Sequence, residues 1–260
     1  MAAGQLYITL IQPDIVWEDK AANLEQYEAT IAGITGPKQV VVLPEMFSTG
    51  FSMAPKRLAE PMDGESVRWM ADMAVKYRCI LTGSLIIEEE GKYYNRMLWV
   101  QPDGLIGVYD KRHLFAYAGE DQHYTRGERR TIARVNGWRI NLQVCYDLRF
   151  PVWARNLEEE YDVLLYVANW PEQRSLAWKT LLQARAIENQ CYVVGVNRVG
   201  TDAKNNNYSG DSSVFGPLGE TIWQQTNGVA CHTVVLEKEA LEKVRTNLPF
   251  LNDADKFMLL

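Results

Sequence analysis

The chain has 260 residues, 47% hydrophobic and 23% charged, enough to bury a large core within one α/β domain spanning residues 1–260. Its net charge is −6, and the acidic runs at 88–90 and 158–160 are balanced by nearby basic residues, which excludes electrostatic recruitment of nucleic acid. No apolar run approaches the ~18 residues that crossing a membrane requires, and the opening MAAGQLYITLIQPD lacks the parts of a secretory signal, so a cytoplasmic location is expected.

Strands are expected at 6–11, 40–43, 80–87, 140–145, 163–167 and 192–196. These runs are nearly all β-branched or apolar, as strands covered on both faces are. Between them, apolar positions recur at helical spacing over 19–32, 65–77, 152–161 and 174–190. Two stretches break the alternation. KYYNRMLWVQPDGLIGVYDK carries Pro-Asp-Gly between extended runs and SSVFGPLGETIW carries Gly-Pro-Leu-Gly, so both read as hairpins and the sheets are expected to be mixed. Asn205, Asn206 and Asn207 read as an exposed loop tip, and no repeat or linker divides the chain.

The four cysteines, at 79, 145, 191 and 231, form no Cys-x-x-Cys pair, and the three histidines, at 113, 123 and 232, are scattered. Neither a disulfide framework nor a metal site is expected, and no cofactor is called for. Each thiol is therefore judged alone. A buried cysteine is ordinarily a small hydrophobe, but Cys145 closes the run INLQVC just where the polar YDLR begins, at the carboxyl end of a strand where ligands reach α/β sheets.

Two further strands end in chemically competent groups. In VVVLPEMFSTGF, Pro44 stops the ladder and Glu45 follows, with Phe47 and Phe51 as apolar company; alone, such a residue is a solvated carboxylate. In VYDKRHLF the strand over 105–109 leads to Lys111, which alone is surface charge. Together the three make an amide-cleaving set. An unperturbed thiol of pKa ~8.5 is a few per cent thiolate at neutral pH, so a base is needed, and Glu45 suits that task. Charge then develops on the attacked carbonyl oxygen, where Lys111 and the backbone N–H of Tyr146 would hold it.

In order and in local sequence, LPEMF, YDKRHLF and CYDLRFP resemble the Glu-Lys-Cys signature of the nitrilase superfamily of carbon-nitrogen hydrolases, and the likeness extends over essentially the whole chain. The resemblance implies a four-layer αββα sandwich, with two mixed sheets flanked by helices, and a homodimer paired through a helical face. It also implies that Glu120, in AGEDQHYTRGER, supports the substrate and the lysine. QVCYDLRFPVWARN, the segment from LLYVANW to VNRVG, and YSGDSSVFGPLGE are most similar to bacterial omega-amidases. These release ammonia from dicarboxylic acid monoamides such as 2-oxoglutaramate and 2-oxosuccinamate.

Such a substrate places a carboxylate a few carbons from the amide, which calls for a planar bidentate cation. Arg149 and Arg174 are candidates, Arg149 reading more simply as an ion-pair partner; Phe51, Tyr117, Tyr146 and Trp170 are candidate pocket walls. Ser209 stands where many close relatives are expected to carry arginine. Nitrilases, N-carbamoyl hydrolases and deaminated-glutathione amidases would share the nucleophile, and a non-catalytic binding protein would share the fold. A thiol redox sensor would require Cys191 to approach Cys145 in space.

Overall fold

The computed structural model describes residues 4–257, so the first three residues of the opening stretch and the last three of the chain lie outside it. Strands β1 (Gln5–Gln12), β2 (Val40–Val42), β3 (Ile80–Glu89), β4 (Lys92–Val100) and β5 (Ile106–Asp110) supply the first sheet. Strands β6 (Ile132–Val135), β7 (Trp138–Val144), β8 (Val163–Val167), β9 (Tyr192–Val196), β10 (Val199–Thr201), β11 (Asn207–Phe215) and β12 (Thr221–Thr226) supply the second. The last strand, β13 (Ala230–Glu237), returns to the first sheet and lies antiparallel to β1.

The first sheet runs β13-β1-β2-β3-β4-β5, and the second runs β10-β11-β9-β8-β7-β6 with β12 beside β11. Both are mixed. Within them β1, β2 and β3 are parallel neighbours, as are β7, β8 and β9, while the two expected hairpins form β4–β5 and β11–β12.

The period of two along a strand decides which core each side chain joins. Leu6, Ile8 and Leu10 of β1 and Val40 and Val42 of β2 meet Ile140, Leu142 and Val144 of β7 and Leu165 of β8, so the two sheets share one central core. Val41 points the other way, toward Tyr27 and Ile31 of α1 (Lys20–Ala32) and Met70 and Ala74 of α3 (Glu65–Tyr77). A short α2 (Pro55–Leu58) lies between those two helices in the chain. On the second sheet, α5 (Ser175–Asn189) packs Trp178, Leu182 and Ala186 against β9 and β11. The result is the expected four-layer αββα sandwich.

Helix α1 begins where Asp19 accepts a hydrogen bond from the Ala22 N–H at 3.0 Å, an N-cap worth about 1 kcal/mol. Expectation fails over 152–161. Only α4 (Pro151–Ala154) is helical there, because Asn156 takes over the local backbone groups: its amide accepts from the Tyr161 N–H and donates to the Tyr161 and Asn189 carbonyls. Glu158 and Glu159 then adopt positive φ. Near the end of the chain, α6 (Lys238–Asn247) sets Lys238 and Arg245 on the buried Asp162 carboxylate.

Helix α5 approaches β9 closely because Gly195 has no side chain. A Cβ there would lie 2.5 Å from Leu182 Cδ1 and 2.9 Å from Trp178 Cζ2. Gly195→Val is therefore expected to lower stability by about 1–3 kcal/mol through overpacking, read as a drop in the denaturation midpoint at unchanged m-value.

Candidate active site

Four strand ends converge on one buried cluster. Glu45 follows β2 after Pro44, Lys111 follows β5, Cys145 follows β7, and Asn169 follows β8. The strand run expected over 140–145 stops one residue early, at Val144. Cys145 instead opens a 3-10 turn with φ of 45°, left-handed backbone that costs a non-glycine residue of order 1–3 kcal/mol unless its surroundings impose it. Asp147 imposes it, since its buried carboxylate accepts the Val144 N–H at 3.0 Å and the Tyr109 hydroxyl at 2.7 Å. Met46, next to Glu45, is also left-handed, at φ 44°, and is pinned by its N–H on Ser84 Oγ at 2.8 Å.

Lys111 is 1% exposed, and Glu45 and Glu120 are fully buried. The Lys111 ammonium donates to Glu45 Oε1 at 2.9 Å and to both oxygens of Glu120, at 3.0 and 2.8 Å. Asn95 bridges the same two acids, its amide donating to Glu45 Oε1 at 2.7 Å and Glu120 Oε1 at 3.1 Å, and Ser84 orients it from behind. The second oxygen of Glu45 accepts the backbone N–H of Asn169 at 2.8 Å, and that of Glu120 accepts the Phe115 N–H at 2.6 Å. Every carboxylate oxygen of the pair is therefore occupied, as burial of charge demands.

These contacts set the protonation states. Burial alone would depress the Lys111 ammonium, but the charges of Glu120 and Glu45 outweigh it and hold the group above the ordinary lysine range. Burial pushes Glu120 up, and the Glu45 charge adds to this against the pull of Lys111. Burial, followed by the charge of Glu45, pushes the Cys145 thiol well up, with Lys111 opposing. The resting sulfur is a thiol, and it needs a base to become a nucleophile.

A cavity of about 230 Å³ opens above Cys145 and Tyr146. The sequence-predicted candidates Phe51, Tyr117, Arg149, Trp170 and Arg174 all line it, each from a separate loop or turn except Trp170 and Arg174, which share the segment after β8. Phe51 lies under Lys111, its ring centre 5.1 Å from Nζ. Phe47, expected beside Glu45, instead packs edge-on against Tyr27 in the outer core. Arg149 has no carboxylate partner among the described residues; its guanidinium lies 5.0 Å over Trp170, and that of Arg174 lies 5.3 Å over Phe115.

Some contributors carry no local signal in the sequence. Asn95 sits mid-strand in β4 and reaches Glu45 across 50 positions, and Asn169 reaches it across 124. Asn206, read as part of an exposed tip, is half-buried and lines the cavity with Asp202, Lys204 and Tyr208, while Asn207 already belongs to β11. Ser209 is turned to Asp211, which accepts its hydroxyl at 2.6 Å. Cys191 is buried beneath α5. Among the described residues no group of His, Cys, Asp and Glu is arranged to hold a metal.

This geometry has counterparts. The model of the family described as carbon-nitrogen hydrolase matches residues 7–239. The chain belongs to that family. Omega-amidase YafV of Yersinia enterocolitica is 46% identical over 98% of this chain and 99% of its own. The 2-oxoglutaramate amidase of Bacillus subtilis is 31% identical, covering 96% and 97%. Among solved structures, XC1258 of Xanthomonas campestris, a CN-hydrolase superfamily protein with an arsenic adduct in its active site, superposes with a TM-score of 0.96 at 42% identity, covering 98% and 99%. The chain thus falls in the omega-amidase branch of the nitrilase superfamily, and it is a carbon-nitrogen hydrolase.

Because Glu45 raises the Cys145 thiol and Lys111 lowers it, the two replacements should move the thiol in opposite directions. In the pH dependence of Cys145 alkylation by iodoacetamide, the midpoint is expected to fall in Glu45→Gln and to rise in Lys111→Met. A shift of the same sign in both variants contradicts this assignment of the electrostatics.

Proposed function

We propose that the protein hydrolyses the terminal amide of short dicarboxylic acid monoamides, such as 2-oxoglutaramate and 2-oxosuccinamate, to the acid and ammonia. In this reading Cys145 is the nucleophile, Glu45 the general base and acid, and Glu120 the residue that holds Lys111. The observation that carries the proposal is the convergence of Glu45, Lys111 and Cys145 beneath a cavity whose wall bears two arginines with no carboxylate partner among the described residues.

The reaction begins when Glu45 removes the Cys145 proton and the sulfur adds to the amide carbon. The negative charge that forms on oxygen is met by Lys111 and by the N–H of Tyr146, which lies in the first turn after the strand, where N–H groups have no intrahelical acceptor. Collapse breaks the C–N bond. Glu45 returns its proton to the departing nitrogen, ammonia leaves, and a thioester remains. Glu45 then takes a proton from water, the hydroxide adds to the thioester carbon, and the Cys145 sulfur leaves and regains the proton.

Arg149 and Arg174 supply bidentate donors for the substrate's distant carboxylate, a requirement that a simple nitrile lacks. Phe51, Tyr117 and Trp170 confine the chain between the two ends. The same reading takes residues 1–260 as one domain, supported by a central core that draws on both sheets. It takes the protein as a homodimer, supported by exposed Leu176 and Ile187 on one face of α5, with exposed Leu218 close by. A cytoplasmic location accords with four cysteines that are all unpaired.

Ammonia release from 2-oxoglutaramate, 2-oxosuccinamate, glutamine, asparagine and a simple nitrile tests the proposal. Turnover is expected only for the two oxo-amides, and Cys145→Ala is expected to abolish it with the circular dichroism spectrum unchanged. Turnover that survives in Cys145→Ala removes the nucleophile from the mechanism, and cleavage of the nitrile in place of the oxo-amides removes the substrate class.

A further inference from the structure

We propose that Lys204 is a specificity-determining residue that reads the carboxylate of the substrate, a role resting on the amidase reading above. Three cations from three different loops line the cavity: Arg149 after β7, Arg174 after β8, and Lys204 in the turn between β10 and β11. Each arginine has one face of its guanidinium covered by an aromatic ring, Trp170 or Phe115. The Lys204 ammonium has neither a ring nor an ion-pair partner among the described residues.

The turn that carries Lys204 is built around a buried acid. Asp202 is 7% exposed and accepts four hydrogen bonds: Oδ1 takes the N–H groups of Lys204 at 2.8 Å and Asn206 at 2.9 Å, and Oδ2 takes the Asn206 amide and the Tyr208 hydroxyl, each at 2.9 Å. Burial would raise this carboxyl, but those donors, Asn206 foremost, hold it below the usual range, so it is ionised. A turn that only reverses the chain does not require a buried charge. This one fixes the Lys204 backbone to the cavity wall through the same carboxylate that fixes Tyr208 and Asn206, both of which line the cavity.

The Asp202 carboxylate is taken up by four neutral donors, among them the Lys204 backbone N–H and not its ammonium, so the ammonium forms no ion pair within its own turn. The lining then holds three cations against one carboxylate, a formal net of +2, in a site whose interior has a thiol and two further acids. An anionic end of a substrate is drawn to this rim. Lys204 offers it a mobile point charge that complements the planar forks of the arginines. The amide end, which is neutral, is left to enter the acid-lined interior.

The test compares succinamate with butanamide, which has a methyl in place of the carboxylate, in the wild type, Lys204→Met and Lys204→Arg, and adds calorimetric titration with succinate. Loss of one charge-assisted hydrogen bond predicts that Lys204→Met raises KM for succinamate and weakens succinate binding, each about tenfold, with kcat changed less than about twofold. Butanamide kcat/KM should be unchanged, and Lys204→Arg should restore most of the succinamate KM. Equal losses on both amides, or a succinate affinity that ignores the Met substitution, overturns the inference. Titration does not depend on turnover. Protein that cleaves no amide yet loses succinate affinity in Lys204→Met keeps the role of Lys204 and removes the amidase reading.

Discussion

A lysine held between two carboxylates, with all three side chains out of water, is the constraint on which the arrangement depends. Such a group is stable only if every donor and acceptor finds a partner, because an unpaired buried charge is worth several kcal/mol against folding. Meeting that condition recruits the whole sandwich. Glu45 comes from β2 and Lys111 from β5 in one sheet, Asn169 follows β8 in the other, and Asn95 crosses between the acids from β4. Neither sheet holds the complete cluster, so the packing that forms the central core also assembles the chemistry.

In the proposed mechanism the same cluster lets a thiol raised by burial still react. Moving the proton from Cys145 to Glu45 leaves the total charge of the buried groups unchanged, so no net charge is created in a place where water cannot compensate it. Lys111 remains cationic throughout, since the adjoining acids hold it above the ordinary lysine range. In the proposed mechanism its positive charge favours the new thiolate and then the oxygen that becomes negative. Glu120 completes the balance, accepting two bonds from Lys111 and fixing its direction. The strained backbone at Cys145 and Met46 belongs to this economy of position: each side chain is re-aimed at a strand end by one left-handed residue, and each turn is locked by a buried polar side chain.

What could be read from the sequence follows the range of the forces involved. Runs such as VLLYV and YVVGV become β8 and β9 at the boundaries expected, because a strand covered on both faces needs nothing but apolar side chains. Glu45, Lys111 and Cys145 were legible because each sits where an apolar run gives way to polar residues, and because their three motifs occur together in order. The helix expected over 152–161 failed for a local reason with a distant accomplice, Asn156 being held by Asn189 across 33 positions. Asn95, Asn169 and Asp202 were illegible for the same reason. An asparagine in a strand or a loop looks identical whether it faces water or bridges two buried acids, and only the tertiary fold distinguishes them.

Charge is also segregated by depth, and the segregation bears on which end of a substrate reacts. The interior beside Cys145 holds Glu45 and Glu120, and the wall nearer the surface holds Arg149, Arg174 and Lys204. A carboxylate entering first would have to lose water and approach two buried acids whose only shared cation is already bonded to both. An amide entering first meets groups that can bond it at no such electrostatic cost, while its carboxylate stays among the cations. On the proposed reading, the pattern orients a monoamide before any contact specific to its carbon chain is made. Among dicarboxylic monoamides it favours those whose length spans the distance from rim to thiol, so binding and positioning become a single event.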